Sequence, residues 1–147
     1  MTAQPASRPA PRPQAPAAPV PLVPREAQRF DAGALGRFCR DHGPEAEARI
    51  ADDLALIQER LTLAAWQARQ GESAGLRRSA EALAALARPL GMTTLAAACD
   101  GVLDTLRGGS EAAVAACAAR LGRLAAQSAA GGTWEVEGQE DDAPLGA

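Results

Sequence analysis

Ile50, Leu54, Ile57, Leu61, Ala64 and Ala68 follow one another at intervals of three and four residues, and no proline falls between Pro44 and Pro89. An apolar stripe of that period runs along one side of an α-helix roughly five turns long, and its burial requires other elements to cover it. Pro44 suits the first turn of such a helix, where a backbone N–H has no intrahelical partner in any case. Glu45 and Glu47 stand near its positive end, and Gly71 closes it. Leu56 and Leu63 fall on a second face, so the helix is either covered from two sides or takes part in a contact.

The same period recurs on both sides of this helix. A short helix is predicted from Asp31, as N-cap, through Leu35 and Phe38 to the break at Gly43-Pro44. A third helix, from about Gly75, places Leu76, Ser79, Ala80, Leu83, Leu86, Ala87 and Leu90 on one stripe. A fourth carries Met92, Leu95, Cys99, Val102, Leu103 and Leu106 and ends at Gly108-Gly109. Ser110 caps a fifth with Val114, Cys117, Leu121 and Leu124. No alternating strand pattern interrupts them. Short connections between helices of similar length imply antiparallel neighbours. The fold class expected is therefore all-α: an antiparallel up-down four-helix bundle preceded by a small helix.

The ends of the chain differ from its middle. Eight of the eleven prolines lie in the first 25 residues, which excludes helix and sheet there and predicts an irregular, partly polyproline tail. From Gly131 the chain turns acidic, with Glu135, Glu137, Glu140, Asp141 and Asp142, and both ends are expected to be solvated tails rather than to be held together by attraction to the N-terminal arginines. The organisation read is a tail over 1–29, a helical domain over 30–128 and a flexible acidic tail over 129–147. A net charge of -3 lacks the concentrated positive field that nucleic acid demands. The prolines interrupt any signal-peptide core, and no run approaches a membrane span. All fifteen basic residues are arginine, a composition that fits a GC-rich bacterial genome. Cys39, Cys99 and Cys117 have neither disulfide nor zinc spacing and read as small apolar residues in a reducing cytoplasm.

The segment from Leu76 to Met92 carries the functional signal. Aligned on Leu90-Gly91, it resembles the phospho-acceptor helix of histidine phosphotransfer (HPt) domains, whose pattern is His, any residue, Leu, Lys, Gly, four variable residues, an apolar residue and Gly. Leu83 keeps the leucine, while Glu81 stands at the histidine position, Ala84 at the lysine and Ala85 at the glycine. The resemblance covers about residues 30–127. It implies a phosphorelay scaffold that does not accept phosphate at the usual place, with a response-regulator receiver domain or a histidine kinase as partner. Arg77, Arg78, Glu81, Ala84, Ala85 and Arg88 would form the partner-binding face.

Stepping about 100° per residue from Leu83 points Glu81 outward with Arg77 and Arg88, and places Ala84 and Ala85 beside them. As a docking surface, the two alanines leave a flat patch edged by charge. As an ordinary solvated flank, the alanines are good helix formers and Arg77–Glu81 is an i,i+4 pair contributing ~0.2–0.5 kcal/mol. A third possibility, that Glu81 imitates phosphohistidine, is opposed by its smaller charge and by Arg77.

His42, the lone histidine, is placed in a turn between helices, as a loop or cap residue rather than a phospho-acceptor. Trp66 is expected to pack under the N-terminal segment rather than serve as an exposed anchor, and Trp134 has the option of folding back onto the helices. No phosphate loop, Ser/His/Asp set or metal cluster is present in the sequence, so neither catalysis nor a cofactor is expected. The alternative function, from a different class, is a structural bundle that forms a homodimer through Leu56 and Leu63.

Overall fold

The computed structural model describes residues 2–3, 9–12, 26–129 and 134–137, with backbone alone for 128–129 and 134–137. Most of the proline-rich stretch and the acidic residues beyond 137 lie outside the described residues, as does the Trp134 side chain. The protein is predominantly helical. β1 (Gln28–Asp31) leads into α1 (Ala32–His42), and a 3-10 turn (Gly43–Glu45) precedes α2 (Ala46–Gln70). Then follow α3 (Ser73–Ala87), α4 (Thr93–Gly108), α5 (Glu111–Ala129) and β2 (Trp134–Glu137). α3 and α5 each pack against both α2 and α4, and α1 rests on α2.

The start of α1 is set by Asp31, whose carboxylate accepts from the N–H groups of Gly33 and Ala34 at 2.9 and 3.3 Å. Two donors that a helix start leaves unpaired are thereby satisfied. Ser110 does the same for α5 through the Ala113 N–H at 3.2 Å. α2 and α3 are tied near their shared turn by a buried bond, Ser79 Oγ donating to Gln67 Oε1 at 2.7 Å. Gly75 permits it, because a Cβ there would overlap the Gln67 amide.

The core is one cluster. Ile57, Leu61 and Ala64 of α2 meet Leu76, Ala80, Leu83 and Ala87 of α3, Cys99 and Val102 of α4, and Leu121 and Leu124 of α5. Leu86 and Leu103, expected inside, are half-buried at its margin. Leu54 departs from expectation: although on the same helical line as Leu61, it is 45% exposed. Ile50, one turn earlier on the same line, is partly buried against the core; nothing in the structure explains why Leu54 is left uncovered. Trp66, expected to pack under the N-terminal segment, is 45% exposed, and residues 26–31 of that segment are bonded at Gly91, Thr93, Thr94 and Arg120 instead.

That segment crosses to the other end of the helices. Asp31 N–H donates to the Gly91 carbonyl at 2.7 Å. The hydroxyls of Thr93 and Thr94 bond the carbonyls of Arg29 and Ala27, and Thr94 Oγ1 accepts from the Arg29 N–H at 2.8 Å. Beyond the strand, Arg120 Nε donates to Glu26 Oε2 at 2.9 Å. β2 pairs with β1 in parallel, Gln28 opposite Trp134 and Asp31 opposite Glu137. The described fold thus begins earlier than residue 30, and backbone pairing extends into the stretch assigned to the C-terminal tail. Periodicity missed both strands because each is four residues long and backbone bonds, not an apolar face, place β1.

Two expectations follow. Leu83 is fully buried at the centre of the core, so Leu83→Ala should destabilise the protein by about 2–5 kcal/mol, read from the midpoint of chemical unfolding. The hydrogen bond from Arg120 holds the Glu26 carboxyl below its ordinary value of 4.5, with burial opposing it. A depressed native pKa contributes stability above the unfolded value and loses it as pH falls through the native one. Glu26→Gln should therefore be less stable than the parent at neutral pH, and the two melting temperatures should converge in acid.

Candidate functional site

α3 is the element that carries the predicted site, and its own packing decides which of the six residues are available. Glu81, Ala85, Arg78 and Arg88 are exposed and Arg77 is half-buried, while Leu76, Leu83 and Leu90 close off the opposite side. Ala84 is only 2% exposed and belongs to the core, which corrects the two-alanine patch. The reason is the position of α4. Arg77 donates to the Leu106 carbonyl at 3.4 Å, and Arg88 forms an ion pair with Asp100. Both arginines flank Ala84 and both reach α4, which therefore overlies that flank of α3. The expected Arg77–Glu81 pair is not formed, and Glu81 has no ion-pair partner among the described residues.

On the other flank, Ala85 opens into a cleft of about 450 Å³ between α1, α2 and α3. Leu86, Arg88 and Pro89 line it from α3 and the turn that follows; Arg37, Phe38, Asp41 and His42 line it from α1, and Arg49 and Asp53 from α2. His42 was expected in the turn between helices, as a loop or cap residue. It is the last residue of α1, its ring stacked on Phe38 at 4.1 Å between centroids, with Nδ1 2.9 Å from the Phe38 carbonyl. A carbonyl only accepts, so Nδ1 carries the proton in that contact. Sequence spacing shows Arg37 and Asp41, and Arg49 and Asp53, one helical turn apart on their own helices. Nothing in it shows that the two pairs meet α3.

The thiols offer no obvious reactive group. Cys99, beside Asp100 on α4, is fully buried. Burial, then the Asp100 charge, pushes its pKa up to about 12, with Arg88 opposing. Cys39 and Cys117 are half-buried. Among the described residues no group of three His, Cys, Asp or Glu is disposed to hold a metal ion, and no helix is long and apolar enough to cross a membrane.

Comparison of the chain with protein-family models, with curated proteins and with solved structures returns no match.

The thiolate is the nucleophile in thiol modification, and at pH 8 the Cys99 thiol stays protonated and enclosed. Cys39 and Cys117 should accept a thiol reagent in the native protein, whereas Cys99 should accept it only on unfolding, as peptide mass mapping of the labelled protein would read out.

Proposed function

We propose that the chain is a cytoplasmic bacterial signalling adaptor of HPt type, in which α2–α5 form an antiparallel up-down four-helix bundle and α1 is an added helix. In this reading it binds a receiver domain or a histidine kinase at the exposed face of α3 and does not accept phosphate. One observation carries it. Glu81, at the acceptor position, and Ala85, at the position of the small residue, stand exposed one turn apart above a fully buried Leu83, so the face is bare where a partner would approach. Alternating contacts of α3 and α5 with α2 and α4, and connections of two to five residues, agree with a bundle of this kind. The arrangement departs from the simple docking face in one respect: only one of the two alanines is available, and Arg77 and Arg88 turn toward α4.

A second reading has its own observation. Among the described residues, every large exposed hydrophobic residue, Leu54, Leu56, Leu63 and Trp66, belongs to α2. Leu56 and Leu63 lie about 20° apart around that helix, with Trp66 about 60° further round, so these three share one face. Such a stripe suits a second copy of the chain.

Ala85→Arg separates the two. Arginine is a good helix former and the position faces solvent, so stability should change by less than about 0.5 kcal/mol. Binding to receiver domains and kinases of the source organism should weaken at least about thirtyfold, the ~2 kcal/mol of an interface hot spot. Leu56→Glu with Leu63→Glu should leave that binding intact and abolish any self-association seen by sedimentation. Unchanged affinity of Ala85→Arg for every captured partner would sink the first reading, as would acid-labile phosphate on His42 after incubation with an active kinase or a phosphorylated receiver.

A further inference from the structure

The cleft between α1, α2 and α3 is bordered by more hydrogen-bond donors than the protein uses. Arg37 from α1, Arg49 from α2 and Arg88 from the turn after α3 line it, and each guanidinium carries five N–H donors. Arg37 is exposed, and its side chain makes no ion pair or hydrogen bond among the described residues. Its guanidinium turns back along α1, where a Cβ placed on Gly33 would stand 3.7 Å from Nη1, and it does not pair with Asp41 one turn further on. Arg49 lies 3.7 Å from Asp53, beyond hydrogen-bond length. Arg88 donates from one nitrogen to Asp100 of α4. Against the three arginines the lining sets two carboxylates, Asp41 and Asp53, which leaves positive charge in excess.

The rest of the lining is largely apolar. Phe38 and His42 form a stacked pair, held in place by the contact of His42 Nδ1 with the Phe38 carbonyl at 2.9 Å. Ala85, Leu86 and Pro89 line the cleft from α3 and its turn. Its volume of about 450 Å³ falls within the ~300–1,000 Å³ of sites that hold small organic molecules. Such sites combine apolar walls with a few polar groups that orient the ligand. Guanidinium groups select carboxylates and phosphates there, because two N–H donors of one arginine meet two oxygens of the anion at once.

We propose that the α1–α2–α3 cleft binds a small organic anion, its carboxylate or phosphate held by the arginines and its apolar body set against Phe38, Leu86 and Pro89. Arg37 is the principal anchor, since Arg49 and Arg88 each have a carboxylate of the chain nearby. Asp41 and Asp53 restrict the ligand to one anionic group, because a second would meet like charge. An inorganic ion would use the arginines alone, whereas an organic body also removes apolar wall from water. Nothing in this site depends on the adaptor function proposed above.

The test titrates the full chain with benzoate, phenyl phosphate, inorganic phosphate and the neutral benzyl alcohol, following backbone amide shifts by NMR. Benzoate and phenyl phosphate should move the amides of Arg37, Phe38, Arg49 and Ala85 saturably, with half-saturation below about 1 mM. Inorganic phosphate should need at least about fivefold more, and so should benzyl alcohol. Arg37→Gln should melt with the parent, because Arg37 has no partner to lose, yet bind both organic anions at least about tenfold more weakly. Arg107→Gln, on α4 and outside the lining, should bind them as the parent does. Raising salt from about 0.1 M to about 1 M, where the Debye length shrinks from ~10 to ~3 Å, should weaken both. The absence of saturable shifts, shifts centred on other residues, or unchanged affinity in Arg37→Gln would each refute the site. Benzyl alcohol matching benzoate would reduce the cleft to an apolar hollow, and inorganic phosphate matching phenyl phosphate would leave an adventitious ion only; either result overturns the proposal.

Discussion

A single close backbone approach organises this protein. Gly91, at φ +75°, turns the chain between α3 and α4, and its carbonyl accepts the Asp31 N–H at 2.7 Å. A side chain at Gly91 would run into the Asp31 backbone, so glycine is needed there twice over: for the left-handed conformation and for the contact. Asp31 is also the N-cap of α1. One residue pair therefore fixes where β1 ends, where α1 begins and where α3 gives way to α4. Because α1 starts beside the end of α3, its Arg37–Phe38–Asp41–His42 side comes to stand across from Ala85 and Pro89. The cleft is a consequence of that anchor.

Stability and recognition are carried by different parts of the molecule. Leu76, Leu83, Leu90, Leu121 and Leu124 are sealed inside, and each contributes on the order of 1.5–3 kcal/mol through burial. The ion pair of Arg107 with Asp104 lies on the surface at 3.2 Å, and that of Arg88 with Asp100 is about half exposed; such pairs contribute about 0–1 kcal/mol. Substitution of these surface charges should consequently cost the fold little.

α3 illustrates how neighbours divide one amphipathic helix. Its Leu83 side belongs to the core, its Arg77 and Arg88 are drawn toward α4, and its Ala85 side opens on the cleft. Ala84 and Ala85 are adjacent and chemically identical, yet one is enclosed and the other bare. The face that remains is narrower than an isolated helix would present, and Glu81 stands on it without an ionic partner among the described residues.

Much of this was legible in the residues alone. The predominantly helical fold, the cap at Asp31, the stop at Gly71, the cap at Ser110 and the burial of Leu83 follow from local rules: a 3.6-residue period, a side-chain acceptor at a helix start, a glycine where φ is positive. Other features depend on what lies opposite, which no local rule contains. Leu54 shares a stripe with Leu61 but is 45% exposed, while Ile50, one turn earlier, is partly buried. Trp66 is 45% exposed, and the described residues Ala27 and Arg29 of the N-terminal segment are bonded to Thr93 and Thr94, far along the chain from α2. β1 and β2, 106 positions apart in register, pair through backbone groups that every residue possesses and no sequence pattern marks. Periodicity thus determined which residues seek the interior. Only the tertiary structure decided which of them find cover, and which charged residues line the cleft, because burial and proximity depend on distances between helices that the period of one helix does not set.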